Sequence, residues 1–356
     1  MNNNETFLLS LTRLGIGNYA YDYPQAIDWS VIQDLATEQG LLAVAMDGVE
    51  KLPVSLRPPQ DQLLEWIGEV LQGYEYRYDQ YCRTIAELAK FYNSHGIKMM
   101  VLKGYACSLT WPKPERRPCG DIDIWLFGEY KRADSLVASE KKIKVDTSHH
   151  NHTVFEWGDF TVENHYDFLN VHAHKTSKDL EIILKEMAQD SSHYTEVYGE
   201  KVYLPSPNLH ALFLLRHMVG HFASEGITLR HVLDWAFHVR KYGKDIDWDW
   251  LRGVLDNFGL MPFYNCLNAI CVEELGFNAS MFKTIQFVPD MKEKILREIL
   301  SPQFSREMPK YLVPRMLYKY KRWQASGWKR EICYNESLST SFWNGMLSHL
   351  KKPLSI

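Results

Sequence analysis

Hydrophobic and polar positions over the first hundred residues repeat with the period of a helix. In 28–45, DWSVIQDLATEQGLLAVA, the residues Val31, Ile32, Leu35 and Ala36 recur at helical spacing. Asp28 or Ser30 can cap the start, Gly40 sits where a left-handed residue ends the helix, and a second helix is expected from Leu41. A long helical pattern follows over 60–94, with a bend at Gly73 and a stop at Gly96. The pattern then changes. Residues 97–102 are a short β-favouring run, a loop rich in Pro and Arg follows, and a second strand is expected over 122–127. After a helix over 130–140, extended segments at 153–157 and 160–168 flank Gly158-Asp159, which has hairpin chemistry. A helix over 178–188 and a hairpin ending in VYLP precede Ser206 and Pro207, an N-cap and first-turn proline that open a helical stretch to the end. The predicted class is α/β (α+β), with a small mixed sheet. Its expected parts are an N-terminal helical region (1–95), an α/β core (96–204) and a C-terminal helical domain (205–356).

The second strand carries the most chemistry. Asp121 and Asp123 are separated by one apolar residue, so both carboxylates point one way while Ile122 and Ile124 point into the core. Like charges so placed repel unless a cation neutralises them, and hard divalent ions such as Mg2+ take oxygen ligands of this kind. In FTVENHYDF (160–168), Glu163 and His165 share a face opposite Val162 and Asn164, so a neighbouring strand can bring a third carboxylate toward the pair. Other polar residues have plainer readings. His149, His150 and His152 read as a polar loop rather than a zinc site, and Asp234 as a helical partner of Arg230 one turn earlier. The basic and aromatic run 309–330 reads as an amphipathic helix burying Leu312, Met316 and Trp323.

Composition narrows the class. A chain of 356 residues can bury a sizeable core in two or three regions, and 46% hydrophobic with 24% charged residues excludes extended disorder. The net charge of -4 gives no global drive toward nucleic acid or anionic membrane. Six cysteines without CxxC or finger-like spacing fit reduced thiols. The opening MNNNETFLLSLTRLGIG has no basic n-region, and no segment offers about 20 uninterrupted apolar residues, so a cytoplasmic protein without a membrane partner is expected.

Taken together, IKMMVLKG (97–104), RRPCGDIDIWL (116–126) and VENH (162–165) resemble the nucleotidyltransferases of the DNA polymerase β-like superfamily, most closely a bacterial family of uncharacterised nucleotidyltransferases. The segments 28–45, 203–217 (YLPSPNLHALFLLRH) and 229–239 (LRHVLDWAFHV) extend the match over most of the chain. The resemblance implies transfer of a nucleoside monophosphate from an NTP such as ATP to a hydroxyl-type acceptor, with release of pyrophosphate. Asp121, Asp123 and Glu163 would hold Mg2+ or Mn2+, and Glu163 would help deprotonate the acceptor. Gly104 would let backbone amides approach the phosphates, while Lys103, Arg116 and Arg117 would supply phosphate contacts. His217 and His221, four apart and so on one helix face with His210 nearly in line, read either as a face between core and solvent or as the place from which His217, with Arg216 or Arg230, reaches the triphosphate or the acceptor. The acceptor stays open among a small molecule, a sugar, a peptide and RNA. The pattern departs from the superfamily at the turn, where Gly-Ser or Gly-Gly is usual and Lys-Gly stands here, leaving Ser108 as the candidate hydroxyl. That departure favours a nucleotide-binding scaffold as one alternative, and the 309–330 run a toxin-like enzyme acting on tRNA as another.

Overall fold

Capping groups set where the first helices begin. A computed structural model describes residues 1–19, 27–171, 174, 176–283, 286–304 and 309–334. Helix α1 (Asn3–Gly15) opens with a reciprocal capping box between Asn2 and Glu5. Helix α2 (Trp29–Glu38) starts where the Asp28 carboxylate accepts from the Val31 N–H, and Gly40 beyond its end has a φ of +65°. Helix α3 (Leu42–Glu50) crosses α1 so closely that a Cβ on Gly48 would lie 2.2 Å from the Leu11 carbonyl oxygen. Helices α4 (Gln60–Val70) and α5 (Arg77–Ser94) are joined by a π-helical turn, Leu71–Tyr76, at the place where a bend at Gly73 is expected.

The long helical run delivers the chain into a mixed six-stranded sheet. Its strands are β1 (Met100–Val101), β2 (Ile122–Trp125), β3 (His152–Trp157), β4 (Phe160–His165), β5 (Tyr194–Val197) and β6 (Glu200–Tyr203), in the order β3-β4-β2-β1-β6-β5. The pairs β1–β6 and β2–β4 are parallel, and the remaining neighbours antiparallel. The run 97–102 gives a shorter strand than its composition suggests, because the chain already turns into helix α6 (Lys103–Ser108), with Lys103 at a φ of +21°. Helices α7 (Tyr130–Leu136) and α8 (Ser177–Met187) complete the region, and β3 and β4 form the hairpin expected at Gly158.

Alternation along β2 decides what each face does. Ile122, Ile124 and Leu126 are buried in a core shared with Ile85 and Leu88 of α5. Trp125, one step out of phase, joins the opposite core with Phe213 and Leu233. Those two residues lie on helices α9 (Pro207–Ser224) and α10 (Leu229–Tyr242). The face that carries Asp121 and Asp123 therefore looks toward α9 and α10. Ser206 caps α9 by accepting from the Leu209 N–H, with Pro207 in the first turn.

Helices α11 (Trp248–Asn257), α12 (Met261–Ala269), α13 (Pro289–Leu300), α14 (Leu312–Ala325) and α15 (Gly327–Tyr334) follow. The helix expected within 309–330 forms as α14, but Met316 is 63% exposed rather than buried, and Trp323 is half-buried. Periodicity marks an apolar stripe without saying that anything covers it. The Leu312 side chain, and the helices expected over 335–356, lie outside the described residues. No helix among the described residues is long and apolar enough to cross a membrane, and all six cysteines are free thiols.

Candidate active site

Parallel pairing of β2 with β4 sets Asp123 opposite Glu163 in register. Because both strands alternate in phase, the two side chains rise from the same face, and Asp121 joins them from the residue before β2. One carboxylate oxygen from each of the three lies within 4.8 Å of the others. They form the floor of a cleft of about 600 Å³ whose far wall includes His217, His221, Arg230 and His231 of α9 and α10.

The floor is not left as bare negative charge. Lys103 Nζ stands 2.5 Å from Asp123 Oδ1, and His165 Nε2 donates to the same oxygen at 2.9 Å while lying 3.4 Å from Glu163 Oε2. Asp123 is only 4% exposed. Burial alone would raise its pKa, but the Lys103 ammonium and the His165 hydrogen bond outweigh that and hold it well below the usual carboxylate range. Burial would likewise keep His165 neutral, yet hydrogen bonds to Asp123 and Glu163 push it up to about 9. Glu163 is lowered too, its desolvation outweighed first by the His165 hydrogen bond. Asp121 goes the other way. Its side chain opens to solvent, but the surrounding protein desolvates it and the charges of Asp123 and Glu163 add to the effect, so its pKa is raised. One carboxyl of the three thus stays incompletely compensated.

Two contacts position this floor. Tyr81 Oη on α5 donates to the Asp121 carbonyl at 2.9 Å, and a Cβ on Gly104 would lie 2.4 Å from that Oη. Glycine at 104 is thereby explained by the Tyr81 hydroxyl packed against it. Arg117, 5% exposed, grips Asp234 of α10 through Nε at 2.8 Å and Nη2 at 3.0 Å, so the loop leading to β2 is bolted to the far wall. Trp111 Nε1 donates to the same carboxylate at 2.8 Å. The helical pairing expected between Arg230 and Asp234 gives way to this one, since Arg117 reaches Asp234 with both ends of its fork.

The remaining predicted residues divide accordingly. Lys103, Gly104, Arg117, Asp121, Asp123 and Glu163 line the cleft, as do His217 and Arg230. Arg116 does not; it pairs with Glu75 at 3.0 Å and Asp47 at 3.6 Å. Ser108 does not either, being buried against Tyr78 Oη and the Tyr105 carbonyl. Arg230 makes no ion pair to a described residue, and Nη2 lies 3.1 Å from His231 Nε2. Its charge is disfavoured by burial first and by Arg117 second, which lowers its pKa. His217 is held neutral, well below its ordinary pKa, by burial and then by Lys103.

His231, which lines the cleft from α10, and Tyr81, which supports its floor from α5, are not singled out by the sequence. His152 is placed by the hairpin register opposite His165, with Nε2 3.7 Å from Glu163 Oε1. It therefore belongs to the cleft rather than to a plain polar loop. Only the spacing of Glu163 and His165, read together with a strand paired to it, pointed that way.

Comparison with known proteins places the chain in a family. No curated protein matches the chain. A crystal structure of an antigenic nucleotidyltransferase-like protein from Paracoccidioides brasiliensis aligns at 15% identity over 57% of this chain and 96% of that one, with a TM-score of 0.34. The model of a family described as uncharacterised nucleotidyltransferase matches residues 25–276, a span that contains the three carboxylates and both walls of the cleft. The chain belongs to that uncharacterised nucleotidyltransferase family, and it is a transferase of that class.

Proposed function

We propose that the protein moves a nucleoside monophosphate from an NTP to a hydroxyl-type acceptor and releases pyrophosphate, with residues 96–204 as the catalytic core and helical regions on either side. The observation that carries this reading is the in-register pairing of Asp123 with Glu163, which gathers three carboxylates at the floor of a cleft large enough for a nucleotide. The donor set fits a hard divalent cation. Three oxygen ligands lie within 4.8 Å of one another, and the Asp121 pKa is raised by desolvation first and then by the charges of Asp123 and Glu163, both of which a bound cation would offset. Asp121, Asp123 and Glu163 would hold Mg2+ or Mn2+. When bound, such an ion neutralises phosphate charge and orients the donor.

The chain's own groups do the rest. Nucleotidyl transfer needs in-line placement more than covalent help from protein. Lys103, freed from Asp123, contacts the triphosphate from the floor, while Arg230 and the neutral His217 approach it from α9 and α10. The acceptor oxygen forms a bond to the α-phosphorus as the bond to the β-phosphate oxygen breaks. Glu163 Oε1, on the side away from His165, takes the hydroxyl proton. Arg117 contributes by holding the loop, not by touching phosphate.

The test is incubation with α-labelled and γ-labelled NTPs, Mg2+ and cell extract, comparing wild type with Asp121→Ala/Asp123→Ala. Label is expected to enter a product only from the α position and only with wild type. Equal labelling by both proteins would overturn the assignment.

A further inference from the structure

Glu163 belongs to two clusters, not one. Besides the all-oxygen set, one ligand atom each from His152, Glu163 and His165 also lie within 4.8 Å of one another. All three come from the β3–β4 hairpin, where His152 pairs directly with His165 and Glu163 sits two residues before His165 on the same face. The arrangement is therefore built locally and does not depend on how the far wall packs.

The hydrogen bonds define which nitrogen is on offer. His165 Nδ1 donates to the Asp167 carbonyl at 3.2 Å, an outer contact of the kind that orients metal-binding imidazoles and directs Nε2 inward. That Nε2 faces carboxylate oxygens of both Asp123 and Glu163, a position that calls for a cation or a proton. His152 presents Nε2 toward Glu163 Oε1, and its buried Nδ1 has no hydrogen-bond partner. Its ring packs face-on to His149, 4.7 Å between centroids, and tilted against His165 at 5.1 Å, which fixes its plane.

We propose that His152, Glu163 and His165 form a second cation site, selective for a borderline ion such as Zn2+ or Co2+, beside the all-oxygen set and sharing Glu163 with it. Imidazole nitrogens favour such ions, whereas Asp121 and Asp123 favour a hard one, so the two sites differ in preference. The bound ion replaces the proton on His165 Nε2, which leaves to solvent. The site goes beyond the transfer reaction and stands whether or not nucleotides are used.

The test uses Co2+ and Cu2+ alone, without nucleotide. Cu2+ on the wild-type protein is expected to show electron-spin resonance couplings from two nitrogens, a readout that needs no variant to fold. Co2+ titrated into wild type is expected to give visible absorption bands. His152→Gln should weaken that binding on the order of a hundredfold and leave one nitrogen coupling, while Asp121→Asn should keep both signals. Absence of nitrogen coupling in wild type, unchanged Co2+ affinity in His152→Gln, or equal loss in Asp121→Asn would each overturn the proposal. Failure of the labelling assay with these spectra intact would sink only the proposed transfer, so the two ideas fail separately.

Discussion

The two walls of the cleft handle charge in opposite ways. On the sheet side, Asp123 and Glu163 are ionised at neutral pH because Lys103 and His165 stand within ion-pair reach. On the helical side, burial keeps His217 neutral and leaves Arg230 without an acidic partner among the described residues. A β-hairpin and a parallel neighbour bring charged side chains together at fixed register, so opposite charges can be matched atom by atom. Helices α9 and α10 approach from across the cleft, and there His217, His221 and His231 cluster ring against ring beside Arg230, with no carboxylate set against that guanidinium among the described residues. The sheet wall sets its charges against each other; the helical wall carries a guanidinium that no carboxylate among the described residues pairs with.

That contrast can be broken at several points. The largest effect is expected from Asp123→Ala, which should lower α-label transfer on the order of a thousandfold, since it removes the residue on which Lys103 and His165 converge. Activity near wild type would mean that the sheet wall is not the reacting one. Next comes the bolt between the walls. Arg117→Ala or Asp234→Ala leaves a buried charge alone, and each should cost about 3–5 kcal/mol in denaturant unfolding. Replacing both together should cost less than the sum, because no unpaired charge is left.

A third prediction concerns acid. His238 of α10, buried behind the helical wall with one ring nitrogen on the Pro207 carbonyl, has its pKa pushed down to about 4 by burial. The unfolded chain therefore takes up that proton first as pH falls, so the stability from His238 is complete above its unfolded value near 6.5. It is lost on the way down to about 4, on the order of 3 kcal/mol in all. Unfolding free energies measured from pH 7 to 4 should fall less steeply in His238→Gln than in wild type. An identical slope would place the acid sensitivity elsewhere. Smaller still, Arg230→Ala should weaken NTP binding about tenfold by calorimetry without shifting the melting temperature. The smallest effect is expected at Met316→Glu on exposed α14, within about 0.5 kcal/mol of wild type.

How much of this was readable beforehand follows from the range of each interaction. Asp121, Asp123 and Glu163 were legible because strand geometry has period two and one paired neighbour suffices to gather them. Ser206, Asp28 and Gly40 were legible for the same local reason. The partner of Arg117 was not, since Asp234 lies 117 positions away and a nearer basic residue offered itself one helical turn before it. Nor was the reason for Gly104, which depends on the Tyr81 hydroxyl arriving from α5. Met316 failed in the other direction: an amphipathic stripe was visible, and its cover was assumed.

The doubly bonded guanidinium between the β2 loop and α10 has a mechanical consequence. Swinging the helices away from the sheet would strip that link in a dry environment, an expense comparable to a large part of a domain's total stability. The β2 loop and α10 are therefore held at one spacing, and the mouth of the cleft between them is already set in the folded chain.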